Sequence, residues 1–152
     1  MTSRREILQR SAVVAGLLAA TGLFPQYANA AFNKGAFDAK TLADAYKGLG
    51  IGLPVQSPGV HIQAPDIAEN GAVVPIGATS ALSGVKQILF LVEKNPTVLI
   101  AVFNLSDSVD AAILTRTKMA QSSDVYAVAV MNDGKVLYAK KEVKVTLGGC
   151  GG

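Results

Sequence analysis

The chain has 152 residues, of which 50% are hydrophobic and only 16% are charged. This length is sufficient for one domain with a hydrophobic core, and the composition excludes disorder over most of the chain. The formal net charge of +3 falls to +1 for the expected mature chain, because residues 1–30 carry three arginines and one glutamate. A nearly neutral domain without tryptophan lacks the basic stripe and the interleaved aromatic residues of a nucleic-acid-binding protein. No apolar run in the sequence is long enough to span a membrane.

Residues 1–30 have the pattern of an export signal. Arg4, Arg5 and Arg10 precede an apolar stretch over 11–24, and Ala-Asn-Ala at 28–30 is a small-x-small cleavage pattern that leaves a mature chain from Ala31. The sequence Ser-Arg-Arg-Glu-Ile-Leu at 3–8 resembles the twin-arginine translocation motif. We therefore predict a cleaved signal over 1–30 and export of the folded protein to the periplasm. An ordinary secretory signal that contains Arg-Arg is the alternative.

One short helix is predicted over Asp38–Gly48, because apolar residues recur there at helical spacing. Asp38 or Thr41 is the predicted N-cap, and Gly48 and Gly50 end the helix. The segment 52–59, with two prolines, is predicted to be an irregular connection.

From Val60 onward the pattern is one of strands and turns. Turn-forming sequences such as Glu69-Asn70-Gly71 and Asn132-Asp133-Gly134 separate the apolar runs. Seven strands are predicted: Val60–Ala64, Ala72–Ala78, Val85–Val92, Val98–Phe103, Ala112–Lys118, Val125–Met131 and Lys135–Leu147. The fold class is therefore all-β, an immunoglobulin-like antiparallel β-sandwich of about seven strands preceded by a short helix. The predicted domain covers residues 31–147, and a flexible arm follows at 148–152.

Two of the predicted strands are apolar without alternation, at 88–92 and 98–103. A sandwich strand with one face in water alternates, so these strands are expected to be covered on both faces. Either the N-terminal helix covers them, or the outer face of their sheet binds another protein.

Few residues of the domain have the arrangement that catalysis or metal binding requires. His61 is the only histidine, and zinc sites need three or four ligands, so it is predicted to be a surface or half-buried strand residue. Asp107 and Asp110 are predicted to shape a turn rather than to form an acid–base pair. We expect neither a metal nor a cofactor. The lysines at 140, 141 and 144 are expected to form a solvated face, or to steer an anionic ligand or partner.

Cys150 is the only cysteine, and it lies in the terminal Gly-Gly-Cys-Gly-Gly at 148–152. It has no partner for an internal disulfide, and Gly148, Gly149, Gly151 and Gly152 give the segment wide backbone freedom. Nothing in such a segment lowers the thiol pKa far below its free value of about 8.5. A weakly nucleophilic thiol on a mobile arm is poorly suited to catalysis, which needs fixed geometry, but well suited to carrying a group between enzymes.

These features resemble the SoxY family, the sulfur-substrate carriers of the bacterial Sox thiosulfate-oxidation system. The resemblance rests on the terminal Gly-Gly-Cys-Gly-Gly and on the preceding Val-Lys-Val-Thr-Leu at 143–147. It also rests on the twin-arginine-like leader, on Ala-Phe-Asp-Ala-Lys at 36–40 and on Pro-Asp-Ile-Ala-Glu-Asn-Gly-Ala-Val-Val-Pro at 65–75. It extends over essentially the whole chain.

The resemblance implies a periplasmic heterodimer with SoxZ, a second immunoglobulin-like subunit without its own signal. It implies that the cytochrome complex SoxAX joins thiosulfate oxidatively to the sulfur of Cys150 and that the hydrolase SoxB releases sulfate. The sulfane dehydrogenase SoxCD, where present, then oxidises the sulfur left on the arm. In this scheme the chain is not an enzyme: Cys150 carries the intermediates, and the four glycines give reach and clearance.

Two other classes of function fit a terminal cysteine with glycines. An exported structural β-sandwich would use Cys150 only for an intermolecular disulfide. A ubiquitin-like sulfur carrier would load sulfur on its terminal carboxylate, which needs ATP-dependent activation that an exported protein is not expected to meet.

Overall fold

The structure is a computed structural model that describes residues 33–147 and, nearer the N-terminus, Arg4, Ile7, Arg10 and Val13. The chain divides into two units, Met1–Phe32 and Asn33–Gly152. The four described positions of the first unit are helical and exposed. The predicted cleavage site and the terminal segment 148–152 lie outside the described residues. Within the described part of the chain, no helix is long and apolar enough to cross a membrane.

Two short helices open the second unit, where one was predicted. They are α1 (Lys34–Phe37) and α2 (Leu42–Leu49). Thr41 is the N-cap of α2, because its backbone is extended and its side chain accepts a hydrogen bond from the Asp44 amide. Asp38 instead ends α1. The predicted start at Asp38 was therefore too early, and the left-handed Gly50 (φ 68°) ends α2.

Nine strands follow. All seven predicted strands are present, and where a predicted end differs from the observed one, the difference is one or two residues. The strands are β1 (Val55–Gln56), β2 (Val60–Gln63), β3 (Ile67–Asn70), β4 (Val74–Ser80), β5 (Val85–Val92), β6 (Leu99–Asn104), β7 (Ala112–Thr117), β8 (Ser123–Met131) and β9 (Val136–Leu147).

The two strands that were not predicted, β1 and β3, both run parallel to β9. β1 lies in the segment predicted to be irregular, and the first two residues of the predicted turn at 69–71 end β3. Each is a short strand formed by pairing with a distant part of the chain, and local patterns carry no signal for such pairing.

The strands form two sheets, which confirms the predicted immunoglobulin-like sandwich. The large sheet has the order β1-β9-β8-β5-β6, with β3 paired to the second half of β9, and the small sheet has the order β2-β4-β7. All pairs other than those of β1 and β3 are antiparallel.

Two apolar clusters lie on opposite faces of the large sheet. The core between the sheets is built on fully buried side chains such as Ile76, Ile88 and Phe90. A second cluster lies on the other face of the large sheet, where Leu89 and Leu91 pack with residues of α1 and α2. The part of β5 from Ile88 to Val92 is therefore continuously apolar because it is buried on both faces. The chain's own helices supply the second cover. β6 is an edge strand whose residues from Ile100 to Phe103 are only half-buried.

Candidate functional site

The last strand, β9, leads directly into the terminal segment that contains Cys150. β9 pairs with β8 as far as Val143, which lies opposite Ser123. Beyond that residue, β9 pairs along its other edge with β3, where Ile67 lies opposite Lys144 and Asn70 lies opposite Leu147. The strand is therefore held by a neighbour up to its final residue.

Three hydrogen bonds to two other segments, the residue before β8 and the end of β3 with its turn, fix the last residues of β9. The Val145 amide donates to Ser122 Oγ at 2.9 Å, and Thr146 Oγ1 donates to the Glu69 carbonyl at 2.8 Å. The Gly71 amide donates to the Leu147 carbonyl at 2.7 Å. These bonds hold β9 in place as far as Leu147, the last residue that the structure describes.

The turn that follows β3 is itself held in place. Asn70 Oδ1 accepts a hydrogen bond from the Ala72 amide at 2.8 Å, an Asx-type turn. On the far side of the turn the Met119 amide donates to the Gly71 carbonyl at 2.7 Å. This turn therefore links the end of β9 to the segment before β8.

Cys150 and the four glycines predicted to form the arm lie outside the described residues. Cys150 is the third residue after Leu147, so its backbone lies within about 10 Å of the end of β9 at about 3.5 Å per residue. Leu147 itself is 70% exposed, and the thiol is therefore attached to an exposed end of the domain.

The three lysines of β9 do not form one cluster. Lys140 pairs with Asp124 at 2.6 Å, and this hydrogen bond raises the Lys140 pKa above its usual value. Lys141 points to the other face, where it pairs with Asp66 at 3.0 Å and donates to the Ala64 carbonyl. Within residues 33–147, Lys144 is the one of the three without an ion-pair partner. The single cationic face considered from the sequence is therefore split.

The remaining candidate residues lie apart from the end of β9 or in ordinary surface positions. His61 is exposed on β2 opposite Thr79. Asp107 and Asp110 are exposed at a turn that a bond from the Val109 amide to the Ser106 carbonyl closes. Among the described residues, no group of three or more His, Cys, Asp or Glu is placed to hold a metal ion.

Sequence reasoning missed the residues that hold the end of β9. Ser122, Asn70, Gly71 and Thr146 are small polar or glycine residues without a distinctive local pattern. Only the turn signal at Asn70-Gly71 was visible, and nothing in it indicated that Leu147 would be its partner.

The fold and the chain end together define a class of protein: a small immunoglobulin-like sandwich whose anchored last strand leads into a short terminal segment with a single cysteine. The family model described as "Sulfur oxidation protein SoxY" matches residues 49–150. The chain belongs to the SoxY family.

A solved structure supports this assignment. The structure of the sulfur carrier protein SoxY from Chlorobium limicola f thiosulfatophilum has a TM-score of 0.63 and 32% sequence identity, and the match covers 70% of this chain and 97% of that one. A comparison with curated protein sequences finds no match.

Superoxide reductases share the fold but little sequence. Two variants of the superoxide reductase (neelaredoxin) from Ignicoccus hospitalis illustrate this. One has a TM-score of 0.51 and 18% identity, covering 57% of this chain and 78% of that one. The other has a TM-score of 0.51 and 15% identity, covering 65% of this chain and 86% of that one. At these identities the likeness concerns the fold alone.

Proposed function

We propose that this chain is a non-catalytic sulfur carrier of thiosulfate oxidation, which holds its intermediates covalently on the Cys150 thiol. The observation that carries the proposal is the connection of β9 to Gly-Gly-Cys-Gly-Gly in a chain of the SoxY family. A strand held to its last residue provides a fixed base, and the glycines after it add no side chain that would obstruct a narrow cleft.

The proposed cycle begins with an oxidative coupling. The Cys150 thiol loses its proton, its sulfur bonds to the terminal sulfur of thiosulfate, and two electrons pass to the haem groups of a SoxAX-type cytochrome. Water then cleaves the bond between the outer sulfur and the sulfonate group in a SoxB-type hydrolase. Sulfate leaves, and a persulfide remains on Cys150.

Two further reactions return the arm to its starting state. A SoxCD-type dehydrogenase, where present, removes six electrons from the outer sulfur of the persulfide and adds three oxygen atoms from water, which gives a sulfonate. A second hydrolysis releases sulfate and regenerates the thiol. No step in this cycle needs an acid, a base or a metal from the present chain, and we propose that it binds no cofactor.

We also propose that the protein acts in the periplasm, after twin-arginine export in the folded state, as a heterodimer with a SoxZ-like subunit. The twin-arginine-like leader and the family support this proposal. The apolar run of β5 no longer supports it, because α1 and α2 cover that face. Two other features support it: the open edge of β6 and the uncovered outer face of the small sheet within the described residues.

Intact-mass spectrometry of the protein from thiosulfate-grown cells tests the carrier proposal. We expect adducts of sulfur or thiosulfate mass on Cys150 that a reductant removes, and no such adduct on the Cys150→Ser variant. The variant is expected to keep the melting temperature and the partner binding of the wild type. A symmetric disulfide dimer as the sole modified form would favour the structural alternative, and a terminal thiocarboxylate would favour a ubiquitin-like carrier.

A further inference from the structure

One side of the small sheet ends in an open strand edge. In the order β2-β4-β7, β7 is the last strand, and within the described residues no other strand pairs with its free edge, the edge away from β4. The register between β4 and β7 runs without a shift from Val74 opposite Thr117 to Thr79 opposite Ala112. Neither a proline nor a bulge, the devices that commonly protect such an edge, interrupts β7.

Every second residue of β7 directs its backbone N–H and C=O groups to the free edge. The Ser80 amide donates to the Ala111 carbonyl at 2.9 Å, so residue 111 and every second residue after it bond toward β4 in the antiparallel ladder. Pro75, which has no N–H, lies opposite Arg116, as this alternation requires. The backbone groups that point away from β4 are therefore those of residues 112, 114 and 116.

Two of these three amides have no hydrogen-bond acceptor in the part of the chain that the structure describes. The Ala112 amide donates to the Asp110 carbonyl at 2.8 Å, whereas the amides of Leu114 and Arg116 make no bond there. The free edge is accessible, because a cavity of about 410 Å³ adjoins residues 114–116 and one of about 500 Å³ adjoins residues 116–118. An open edge of this kind is a template for a further strand.

The two ends of β7 carry opposite charges. Asp107 and Asp110 precede the strand, Arg116 and Lys118 lie at its far end, and all four side chains are exposed. None of the four forms an ion pair within the described residues. A strand that is acidic at one end and basic at the other is complementary to a second copy of itself in the antiparallel orientation.

We propose that β7 pairs antiparallel with β7 of a second copy across a twofold axis at Leu114, so that two small sheets join into one. Each Leu114 amide then donates to the Leu114 carbonyl of the other copy, and each Arg116 amide donates to the Ala112 carbonyl of the other copy. This register engages the outward-pointing backbone groups over the greatest length of both strands. Continued past the strand ends, it places Asp110 opposite Lys118 and diagonal to Arg116, within reach of both long side chains.

The open edge of the large sheet does not offer this self-complementarity. β6 has the sequence Leu-Ile-Ala-Val-Phe-Asn and carries no charge, and its pairing with β5 shifts between Phe90 and Leu91. It therefore has no charge pattern that would fix the register of a second copy. β6 and the outer face of the small sheet stay available to the SoxZ-like subunit of the proposed heterodimer.

The dimer separates the two chain ends from each other. The Met119 amide donates to the Gly71 carbonyl, and the Gly71 amide donates to the Leu147 carbonyl, so Leu147 lies at the same end of the domain as Lys118. Antiparallel pairing puts this end beside the Asp110 end of the other copy. The association therefore needs no disulfide between two cysteines and does not depend on the carrier function. Because two paired strand edges form a small interface, we expect it to be reversible.

Sedimentation equilibrium of the mature protein, with any subunit that copurifies and with a reductant present, tests the inference. We expect a reversible association that doubles the mass. Asp110→Lys is expected to raise the dissociation constant about tenfold or more, because it places lysine opposite lysine at two points. Lys118→Asp is expected to do the same with two carboxylates. The double variant restores opposite charges and is expected to return within about threefold of the wild type.

Glu142→Lys is the matched control. It makes the same change in net charge as Asp110→Lys, at an exposed residue of β9 that forms no ion pair within the described residues. β9 belongs to the large sheet and has no place in the proposed contact. The dissociation constant of this variant is expected to equal that of the wild type.

Hydrogen exchange followed by NMR locates the contact on β7. The amides of Leu114 and Arg116 are expected to exchange more slowly above the dissociation constant than below it, because only the dimer bonds them. The amides of Ile113 and Thr115 bond toward β4 and are expected to exchange slowly at both concentrations. In Asp110→Lys the protection of Leu114 is expected to disappear at the concentration that protects the wild type.

Several results would overturn the inference. A wild-type protein whose mass does not double at millimolar concentration has no such dimer. Equal weakening by Asp110→Lys and Glu142→Lys, or a double variant no better than the single ones, would refute the charge pairing. Fast exchange of Leu114 in the doubled species would assign the association to another surface. Loss of the SoxZ-like subunit from Asp110→Lys would assign the free edge of β7 to the heterodimer instead.

Discussion

The outer faces of the two sheets differ, although both belong to one small domain. On the large sheet, Leu89 and Leu91 are fully buried under Ala45 and Tyr46 of α2 and under α1. On the small sheet, nothing in the described part of the chain covers the outer face. Its Leu114 is 77% exposed, and His61 and Arg116 are exposed near it.

This difference explains the sequence patterns of the strands. A strand segment under a second layer needs apolar residues at every position, as at 88–92 of β5. β7 instead alternates between half-buried and exposed positions over most of its length. The continuous apolar run of β5 reflects a cover supplied by the same chain. A partner, if it binds a sheet face, has the small sheet available.

The largest effect is expected when the same substitution is made on the two faces. Leu89→Ala leaves a cavity between the large sheet and the helices and is expected to lower the free energy of unfolding by about 3 kcal/mol. Leu114→Ala on the open face is expected to change it by less than about 0.5 kcal/mol. Urea unfolding followed by circular dichroism measures both. Similar losses at both positions would mean that the small sheet is covered in solution, for instance by a second copy.

A smaller effect is expected from the glycine that lets the two helices approach. A Cβ on Gly48 would lie 2.8 Å from Ala36 Cα and 3.0 Å from its backbone nitrogen. Asn33, which precedes α1, also ties α1 to α2, because its Nδ2 donates a hydrogen bond to the Gly48 carbonyl. Alanine usually stabilises a helix relative to glycine, but Gly48→Ala is expected to cost about 1–3 kcal/mol because backbone must move.

Gly35→Ala in α1 is the matched control. A Cβ there meets only Asn33 Oδ1, at 3.7 Å, an ordinary contact. Thermal unfolding should therefore show no loss for this variant. Destabilisation by Gly35→Ala, or an unchanged Gly48→Ala, would refute the close contact of the helices.

The smallest effect at neutral pH is expected from the tyrosine of the helical cover. Burial, followed by the nearby Tyr126, Tyr138 and Glu93, raises the pKa of Tyr46 to about 12. The unfolded chain ionises this group near pH 10. Its contribution to stability is therefore complete below about pH 10 and is lost as the pH rises from about 10 through about 12.

Absorbance titration of tyrosinate checks this prediction. The folded protein should show one late ionisation that is missing from Tyr46→Phe, and stability of that variant should depend less on pH in the same range. Ionisation of Tyr46 together with the other tyrosines would show that the helices do not seal this face.

Much of the fold could be predicted from the sequence because the signals for it are local. Alternation, apolar runs and turns such as Asp133-Gly134 placed seven strands, and β5 was predicted with its observed ends. The strands β1 and β3 could not be predicted, since they are defined by parallel pairing with β9 at the far end of the domain sequence. The cap at Thr41 was one of two options that propensity alone did not separate.

The candidate site divides in the same way. The terminal cysteine and its glycines are a feature of composition and position, so the sequence alone indicates the family and the proposed attachment atom. The anchoring of β9 by Ser122, Gly71 and Glu69 depends on segments that meet only in the folded domain. The type of covalent chemistry follows from the residue type, whereas the support of the strand that precedes the cysteine is decided by long-range strand pairing and hydrogen bonding.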